Sequence, residues 1–327
     1  MRRIAPNQPS PLTKTAVKQN PVQRYAPKLY ALWQFSRPHT IVGTSLSVLA
    51  LYLIALSLGN GQLPTLLGMG WRSLLGAWFA CLCGNVYIVG LNQLEDVDID
   101  RVNKPHLPLA SGEFSRREGQ MIVAVTGVLA VVLAIAQGQF LALTVISSLL
   151  IGTAYSLPPI RLKRFPFWAS LCIFTVRGVI VNLGLFLHFS PLTQAIPTIP
   201  PSVWALTGFI LVFTFAIAIF KDIPDLEGDR RYNIHTLTLR LGQRTVFNLA
   251  RWVITSCYLG MAIAAVLIPN VNASLIIVSH LGLLLLFWLL SLRVNLKEKA
   301  AIAQFYQFIW KLFFLEYLIF PVACLLQ

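Results

Sequence analysis

Two short segments of the chain carry carboxylates and amides at a spacing that suits the binding of a divalent cation. Residues 92–100 read NQLEDVDID and residues 221–229 read KDIPDLEGD, and each follows a long apolar run. Ionised carboxylates at the end of a membrane span are costly unless they bind a ligand. Grouped carboxylates are what Mg²⁺ uses, together with phosphate oxygens, as its ligands in proteins. The two acidic segments therefore indicate an enzyme with a metal and phosphate site.

The first acidic segment, residues 92–100, places its polar side chains on one side of a helix. At about 100° per residue, Asn92, Asp96 and Asp100 share one stripe, and Asp98 falls nearly opposite. We predict that Asp96 and Asp100 are catalytic metal ligands and that Asn92 supports them as a polar substrate contact. Asp98 and Glu95 are expected to be solvated or structural.

The second acidic segment, residues 221–229, repeats this arrangement less regularly. Asp222, Asp225 and Asp229 stand at positions i, i+3 and i+7, which again form one stripe. Pro224 weakens the argument, since it lacks a backbone donor and favours a helix break after Asp222. A solvated and capped helix end is the alternative for either segment alone. We predict that all three aspartates are catalytic, with Asp225 and Asp229 as metal ligands.

A phosphate group held beside these carboxylates needs cations of its own. Residues 155–164, YSLPPIRLKR, supply three, and one lysine follows the first acidic segment within residues 100–105. Each of these cations is also explained by topology alone, because basic residues gather in cytoplasmic loops. The tyrosine is also typical of an interfacial anchor. The predicted substrate-binding residues, besides Asn92, are Arg37, Lys104, Tyr155, Arg161, Lys163 and Arg164.

The elements that must position these residues are membrane helices. Of the 327 residues, 56% are hydrophobic and 12% are charged, whereas roughly 25% are charged in soluble domains. The net charge of +14 lies in loops between apolar runs, so no nucleic-acid partner is expected. We predict an all-α polytopic bundle of nine transmembrane helices, near residues 41–58, 73–93, 120–137, 139–157, 167–189, 202–221, 246–268, 273–292 and 304–326.

Loop charges orient the predicted bundle. Basic residues gather on the side of the N-terminus and of both acidic segments, while the opposite side holds Arg72. This asymmetry predicts that the N-terminus and the acidic segments are cytoplasmic. Residues 1–28 are basic and contain no acid, so we expect a disordered tail attracted to anionic lipid, with a plastid transit peptide as the alternative. Residues 29–327 are expected to form the membrane domain.

The two acidic segments also indicate an internal repeat. Laid over each other without a gap, they match Asp96 to Asp225 and Asp100 to Asp229. They end the second and sixth predicted spans, which run in the same direction. We therefore expect two four-helix pseudo-repeats plus a ninth helix, with both acidic segments at one mouth of the bundle.

These motifs resemble the UbiA superfamily of intramembrane aromatic prenyltransferases. The resemblance rests on N-x-x-x-D-x-x-x-D, on K-D-x-x-D-x-x-G-D and on the tyrosine-to-lysine loop between them, and it extends over residues 36–317. Gln93 stands where the common pattern has aspartate, so a metal-binding role should not be assumed for it. Within the superfamily, Asn92-Gln93 and residues 103–112 are similar to the members that prenylate homogentisate.

The resemblance implies a Mg²⁺ cofactor, a prenyl diphosphate donor and a homogentisate acceptor. The aspartates and Mg²⁺ would hold the diphosphate while the prenyl tail lies inside the bundle. Ionisation of the allylic carbon–oxygen bond would yield a cation that the aromatic ring attacks, with loss of CO₂. Phytyl transfer in tocopherol biosynthesis is the expected reaction. Geranylgeranyl or solanesyl transfer to homogentisate and chlorophyll synthesis are the alternatives.

The resemblance also bears on partners and location. Membrane lipid is the expected surrounding, no obligatory protein partner is visible, and a cyanobacterial thylakoid or plasma membrane is the expected place. A secondary transporter is the alternative from another class. Transporters gather their coupling carboxylates near the bilayer midplane, whereas the acids here lie at one end of the spans.

Two charged residues lie near mid-depth in predicted spans. Arg177 is in the fifth span and Glu316 is in the ninth, and we predict that they pair, since unpaired charges in a membrane are costly. The alternative is that Arg177 or Lys311 meets the carboxylate of the acceptor.

Overall fold

The computed structural model describes residues 21–59, 63–193, 198–226, 230 and 236–327. Nine helices in these ranges are long and apolar enough to cross a membrane, and the same ranges contain no β-strand. The predicted all-α multi-pass membrane fold is confirmed. In chain order the helices are α1 (Pro38–Ser57), α2 (Leu63–Glu95), α3 (Arg116–Ala136), α4 (Gln139–Ser156), α5 (Phe167–Leu192), α6 (Pro201–Phe220), α7 (Gln243–Ala264), α8 (Ala273–Ser291) and α9 (Lys299–Leu325).

Helical structure begins before α1, inside the segment expected to be a disordered tail. Pro21–Tyr25 and Pro27–Phe35 form two short helices, whereas residues 1–20 lie outside the described part of the chain. Phe35 is fully buried and packs edge-on against Phe114 at 5.9 Å between ring centroids. This small apolar cluster holds the second short helix against the loop that follows the first acidic segment.

The first acidic segment spans a break at the end of α2. The helix ends at Glu95, Asp96 adopts φ −114° and ψ 18°, and a short helix follows at Val97–Asn103. The i to i−4 hydrogen bonding of the helix continues across the break, because the Asp96 amide donates to the Asn92 carbonyl at 3.1 Å. The Asp100 amide likewise donates to the Asp96 carbonyl at 2.8 Å. The predicted stripe therefore continues across the bend.

The second acidic segment is described as far as residue 226, and its first five residues form a turn after α6. The helix ends at Phe220, residues 221–225 are non-helical, and the Ile223 amide donates to the Phe220 carbonyl at 3.0 Å. The break predicted from Pro224 is present, and it lies at the start of the segment. Asp229 falls outside the described residues.

Helix α5 contains a wide turn close to its middle. Phe174–Ile180 has π-helical hydrogen bonding and includes Arg177, and such wide turns are frequent at functional sites. Gly178 lets α5 approach α6 closely, because a Cβ at that position would lie 3.0 Å from the Leu211 Cα. The wide turn of α5 therefore packs directly against α6.

Candidate active site

A single cavity of about 1610 Å³ collects both acidic segments at its mouth. Asn92, Asp96 and Asp100 line it from the first segment, and Asp222 and Asp225 line it from the second. The two segments, far apart in sequence, therefore converge.

Asp98, the acid expected to lie opposite the stripe of the first segment, faces away from the cavity. The Asp98 side chain is 77% exposed and pairs with Arg101 at 2.8 Å on the outer side of the short helix. Asp96 and Asp100, on either side of it in the sequence, line the cavity. The helical spacing therefore separates the three side chains in the structure as it does in the sequence.

Asp96 lies between two cations of the loop that joins α4 to α5. Arg161 Nη2 is 3.1 Å from Asp96 Oδ1, and Lys163 Nζ is 2.7 Å from Asp96 Oδ2. Burial lowers the pKa of the Lys163 amine below its ordinary value, and the neighbouring carboxylate of Asp96 opposes this shift. The loop thus supplies the positive charge that the sequence predicts for this place.

Asp100 is the most buried of the described carboxylates of the mouth. Arg37 Nη2 lies 3.8 Å from Asp100 Oδ2, which accepts no hydrogen bond. Burial raises the pKa of the Asp100 carboxyl, and the cations of Arg37 and Lys104 oppose that rise. The carboxylates of Asp96 and Asp225 add to it. Carboxylates of both acidic segments therefore raise the pKa of the same buried group, Asp100.

Lysines connect and flank the second acidic segment. Lys104 Nζ, which follows the first segment, lies 3.0 Å from Asp225 Oδ2 in the second. Lys221 Nζ lies 3.2 Å from Asp222 Oδ1, and that carboxylate raises the pKa of Lys221 well above its usual value. Lys221 also lines the cavity and was missed as a site residue, although it opens the KDxxD pattern.

Two cations of the mouth have unusual backbone conformations. Arg37 has φ 53° and Arg161 has φ 38°, both in the left-handed region that non-glycine residues seldom adopt. Such conformations cost about 1–3 kcal/mol and persist where the surrounding structure fixes them, most often at functional sites. Their occurrence at two cations beside aspartates supports a binding role for both side chains.

The remaining predicted contacts also border the cavity. Tyr155 lines it from the end of α4, and Arg164 lies at its exposed rim. Gln93 points elsewhere: it is buried, and its Nε2 donates to the carbonyls of Phe35 at 2.7 Å and Val89 at 3.2 Å. The amide thus fastens the second short helix to α2.

The donor atoms of the mouth match the chemistry of Mg²⁺. Its carboxylate oxygens are hard ligands of the kind this ion prefers, and Asp100 Oδ2 is buried without a hydrogen bond. No three histidine, cysteine or acidic side chains in the described part of the chain stand together as a ready metal cluster. Each described aspartate of the stripe pairs instead with a lysine or arginine.

The cavity becomes apolar beyond its charged mouth. Val145 and Leu149 of α4, Val181 and Leu185 of α5, and Ile217 of α6 line its walls. These walls exclude water and offer an apolar surface to a long hydrocarbon chain. A charged mouth above an apolar interior fits a molecule with a polyanionic head and an apolar tail.

The predicted pair of Arg177 and Glu316 is wrong. Glu316 Oε2 lies 3.0 Å from His280 Nε2, and both side chains are buried. The guanidinium carbon of Arg177 instead lies 5.4 Å from the ring centroid of Trp310 and 5.7 Å from that of Phe313. Arg177 lines the cavity, whereas His280 and Glu316 pack outside it.

Comparison with known proteins identifies the class. The model of the UbiA prenyltransferase family matches residues 44–312, so the chain belongs to this family and is a prenyltransferase. A homogentisate phytyltransferase of Synechocystis sp. is 56% identical over 299 residues, which cover 90% of this chain and 96% of that protein.

Further relatives agree in sequence and in fold. A homogentisate geranylgeranyltransferase of Triticum aestivum is 37% identical over 305 residues, covering 91% of this chain and 74% of that protein. The structure of a UbiA homologue from Archaeoglobus fulgidus bound to GPP and Mg²⁺ shares the fold, with a TM-score of 0.59 and 17% identity. That likeness covers 91% of this chain and 100% of the other.

Proposed function

We propose that the chain transfers a phytyl group from phytyl diphosphate to homogentisate, with release of diphosphate and CO₂, as a step of tocopherol biosynthesis. The observation that carries the proposal is the meeting of two acidic segments with lysines and arginines at the mouth of an apolar cavity. The 56% identity to the Synechocystis homogentisate phytyltransferase supports this choice of donor and acceptor.

The aspartates of both segments form the proposed metal site. We assign the binding of Mg²⁺ to Asp96, Asp100, Asp225 and Asp229, of which Asp229 lies outside the described residues. Asp222 is a further catalytic carboxylate that keeps Lys221 charged at the mouth. When bound, Mg²⁺ neutralises the charge that develops on the departing diphosphate.

The cations of the mouth bind the diphosphate oxygens directly in this proposal. Lys163 and Arg161 reach them from one wall and Lys104 from another, and fixed positive charge at the leaving group is the main catalytic contribution. Their present aspartate partners hold them in place before the donor arrives. The proposed substrate-binding residues are Asn92, Arg37, Lys104, Tyr155, Arg161, Lys163 and Arg164.

The proposed reaction balances without a covalent enzyme intermediate. The allylic carbon–oxygen bond of phytyl diphosphate breaks, its electron pair leaves with diphosphate, and a ring carbon of homogentisate forms the new carbon–carbon bond. That ring carbon loses one proton, and the side-chain methylene gains one as CO₂ departs. The apolar walls protect the allylic cation from water until the ring attacks.

The proposed orientation follows from the loop charges. Arg101, Lys104, Arg161, Lys163 and Lys221 all lie at the end of the bundle that holds the acidic segments. Under the positive-inside rule this end faces the cytoplasm. A cyanobacterial thylakoid or plasma membrane is the proposed location.

A donor and label experiment tests the proposal. Membranes containing the chain would be supplied with homogentisate labelled either in the ring or in the carboxyl group, and with phytyl, geranylgeranyl, farnesyl or solanesyl diphosphate. We expect the highest kcat/KM with phytyl diphosphate, and a product that keeps the ring label and loses the carboxyl label. A product that retains the carboxyl label, or a clear preference for another donor, would contradict the proposal.

A further inference from the structure

Arg177 is a cation of the bundle interior that has no carboxylate partner in the described part of the chain. Among the described residues, no carboxylate lies within 4.0 Å of it, because Glu316 is taken by His280. It makes no hydrogen bond to another described side chain, and its guanidinium borders the cavity over Trp310. A charged group at this depth is costly without an anion. An anionic group of a ligand in the cavity could therefore serve as the counter-ion of Arg177.

The position of Arg177 separates it from the diphosphate site. Its Nη1 lies beside Gly43 of α1, where a Cβ would come within 3.2 Å. Gly43 is six residues beyond Arg37 along the helix, which corresponds to about 9 Å at 1.5 Å per residue, and Arg37 belongs to the mouth through its contact with Asp100. An anion at Arg177 is thus separate from the diphosphate, at a distance that an aromatic ring with a short side arm can span.

Polar and aromatic groups fill the wall between the two positions. The His39 ring lies 5.0 Å from the ring of Trp310, and Asn85 Nδ2 donates to Thr40 Oγ1 at 3.0 Å. All four residues line the cavity. Rings suit the faces of an aromatic acceptor, and amide and hydroxyl groups suit its phenolic oxygens.

We propose that Arg177 binds the carboxylate of the aromatic acceptor and so fixes the ring between the diphosphate mouth and the middle of the bundle. The assignment rests on the proposed function for the identity of the acceptor, homogentisate, and adds the residue that recognises its acid group. A guanidinium pairs with a carboxylate through two parallel hydrogen bonds, which orients the ligand as well as holding it. Lys311, the other cation considered from the sequence, is exposed and does not line the cavity.

The wild-type chain provides the first test, which needs no variant. Equilibrium binding of homogentisate and of 2-methylhydroquinone, which has the same ring without the carboxylate, is measured in the absence of donor. We expect homogentisate to bind at least about tenfold more tightly, as the loss of a charge-assisted hydrogen-bond pair predicts. Equal affinity for the two compounds would overturn the assignment.

Variants of Arg177 and of a control arginine test which residue produces the preference for homogentisate. Arg177→Gln should bind the two compounds equally, and Arg177→Lys should keep part of the preference because it keeps the charge. Arg251 is a matched control, since its guanidinium carbon lies 4.1 Å from the Trp288 ring centroid but outside the cavity. Arg251→Gln should therefore keep the wild-type preference. Full preference in Arg177→Gln, or the same loss in Arg251→Gln, would overturn the assignment.

The failure of this assignment is distinguishable from the failure of the proposed function. The binding measurement requires no turnover, so it reports on the carboxylate contact alone. A chain that discriminates the carboxylate through Arg177 but forms no product with phytyl diphosphate would support the acceptor subsite and overturn phytyl transfer. Product formation by a chain that binds both compounds equally would support phytyl transfer and overturn the acceptor subsite.

Discussion

Lys104 and Asp225 form a 3.0 Å ion pair between positions 121 residues apart, and this contact joins the first acidic segment to the second. The pair lies at the cavity mouth, where both side chains are partly shielded from solvent. It keeps a cation beside the carboxylates. The two halves of the site are thereby held together.

Loss of this pair should weaken the binding of the donor. We expect Lys104→Met to raise the KM for the prenyl diphosphate about tenfold or more, because a phosphate oxygen loses a charge-assisted hydrogen bond, while the KM for homogentisate changes less. Steady-state kinetics in membranes would measure both. Arg101→Met is the matched control, since Arg101 sits on the short helix that Lys104 directly follows but pairs outward with Asp98. A similar rise in the control variant would show that the effect is not specific to the mouth.

Neutralising one aspartate in each segment should abolish most turnover. We expect Asp96→Asn and Asp225→Asn each to lower kcat by about 10²-fold or more, the scale seen when a preorganised electrostatic group is removed. Asp98→Asn, in the same segment but 77% exposed, should keep wild-type activity. Protein content in the membrane would be quantified for each variant. Full activity in the Asp96 and Asp225 variants would show that the acidic segments are not catalytic.

Gln93 should matter for stability and not for metal binding. Gln93→Ala leaves the buried Phe35 carbonyl without its 2.7 Å donor, which costs about 1–3 kcal/mol. We expect a lower unfolding temperature in detergent, with the Mg²⁺ concentration for half-maximal activity unchanged. A changed Mg²⁺ requirement at constant thermal stability would place Gln93 in the metal site instead.

The buried pair of His280 and Glu316 should be a structural element. His280 Nδ1 lies 2.8 Å from the Ile276 carbonyl, to which it donates, and Nε2 lies 3.0 Å from Glu316. Removing one partner of a buried pair costs about 3–5 kcal/mol. We therefore expect Glu316→Ala to lower the unfolding temperature markedly, and Glu316→Gln to lower it less because it can still hydrogen-bond. Glu298→Ala, at an exposed helix start, is the control, and equal stability in all three variants would contradict a structural role.

The sequence was sufficient to predict the spans and the acidic segments. Charged residues are rare in apolar runs, so the positions of Asp96, Asp100, Asp222 and Asp225 at span ends were informative on their own. The helical period then separated Asp98 from the others correctly. The convergence of the two segments followed from their equivalent places at the ends of parallel spans.

The pairing of the deep charges could not be predicted in the same way. Position along a span gives the depth of Arg177 and Glu316 in the membrane, but it does not give the rotation of each helix about its own axis. That rotation turns Glu316 toward His280 of α8 and leaves Arg177 facing the cavity. The role of Lys221 as a contact of Asp222 was missed because a lysine at a span end is equally typical of the positive-inside rule.

The dependence of turnover on Mg²⁺ tests the central claim most directly. Membranes containing the chain would be washed with EDTA, supplied with phytyl diphosphate and labelled homogentisate, and assayed before and after addition of MgCl₂. We predict no labelled prenylated product in EDTA and recovery of the wild-type rate with Mg²⁺, because the carboxylates of both acidic segments need the cation to hold diphosphate. Product formation at the full rate in EDTA would contradict the account.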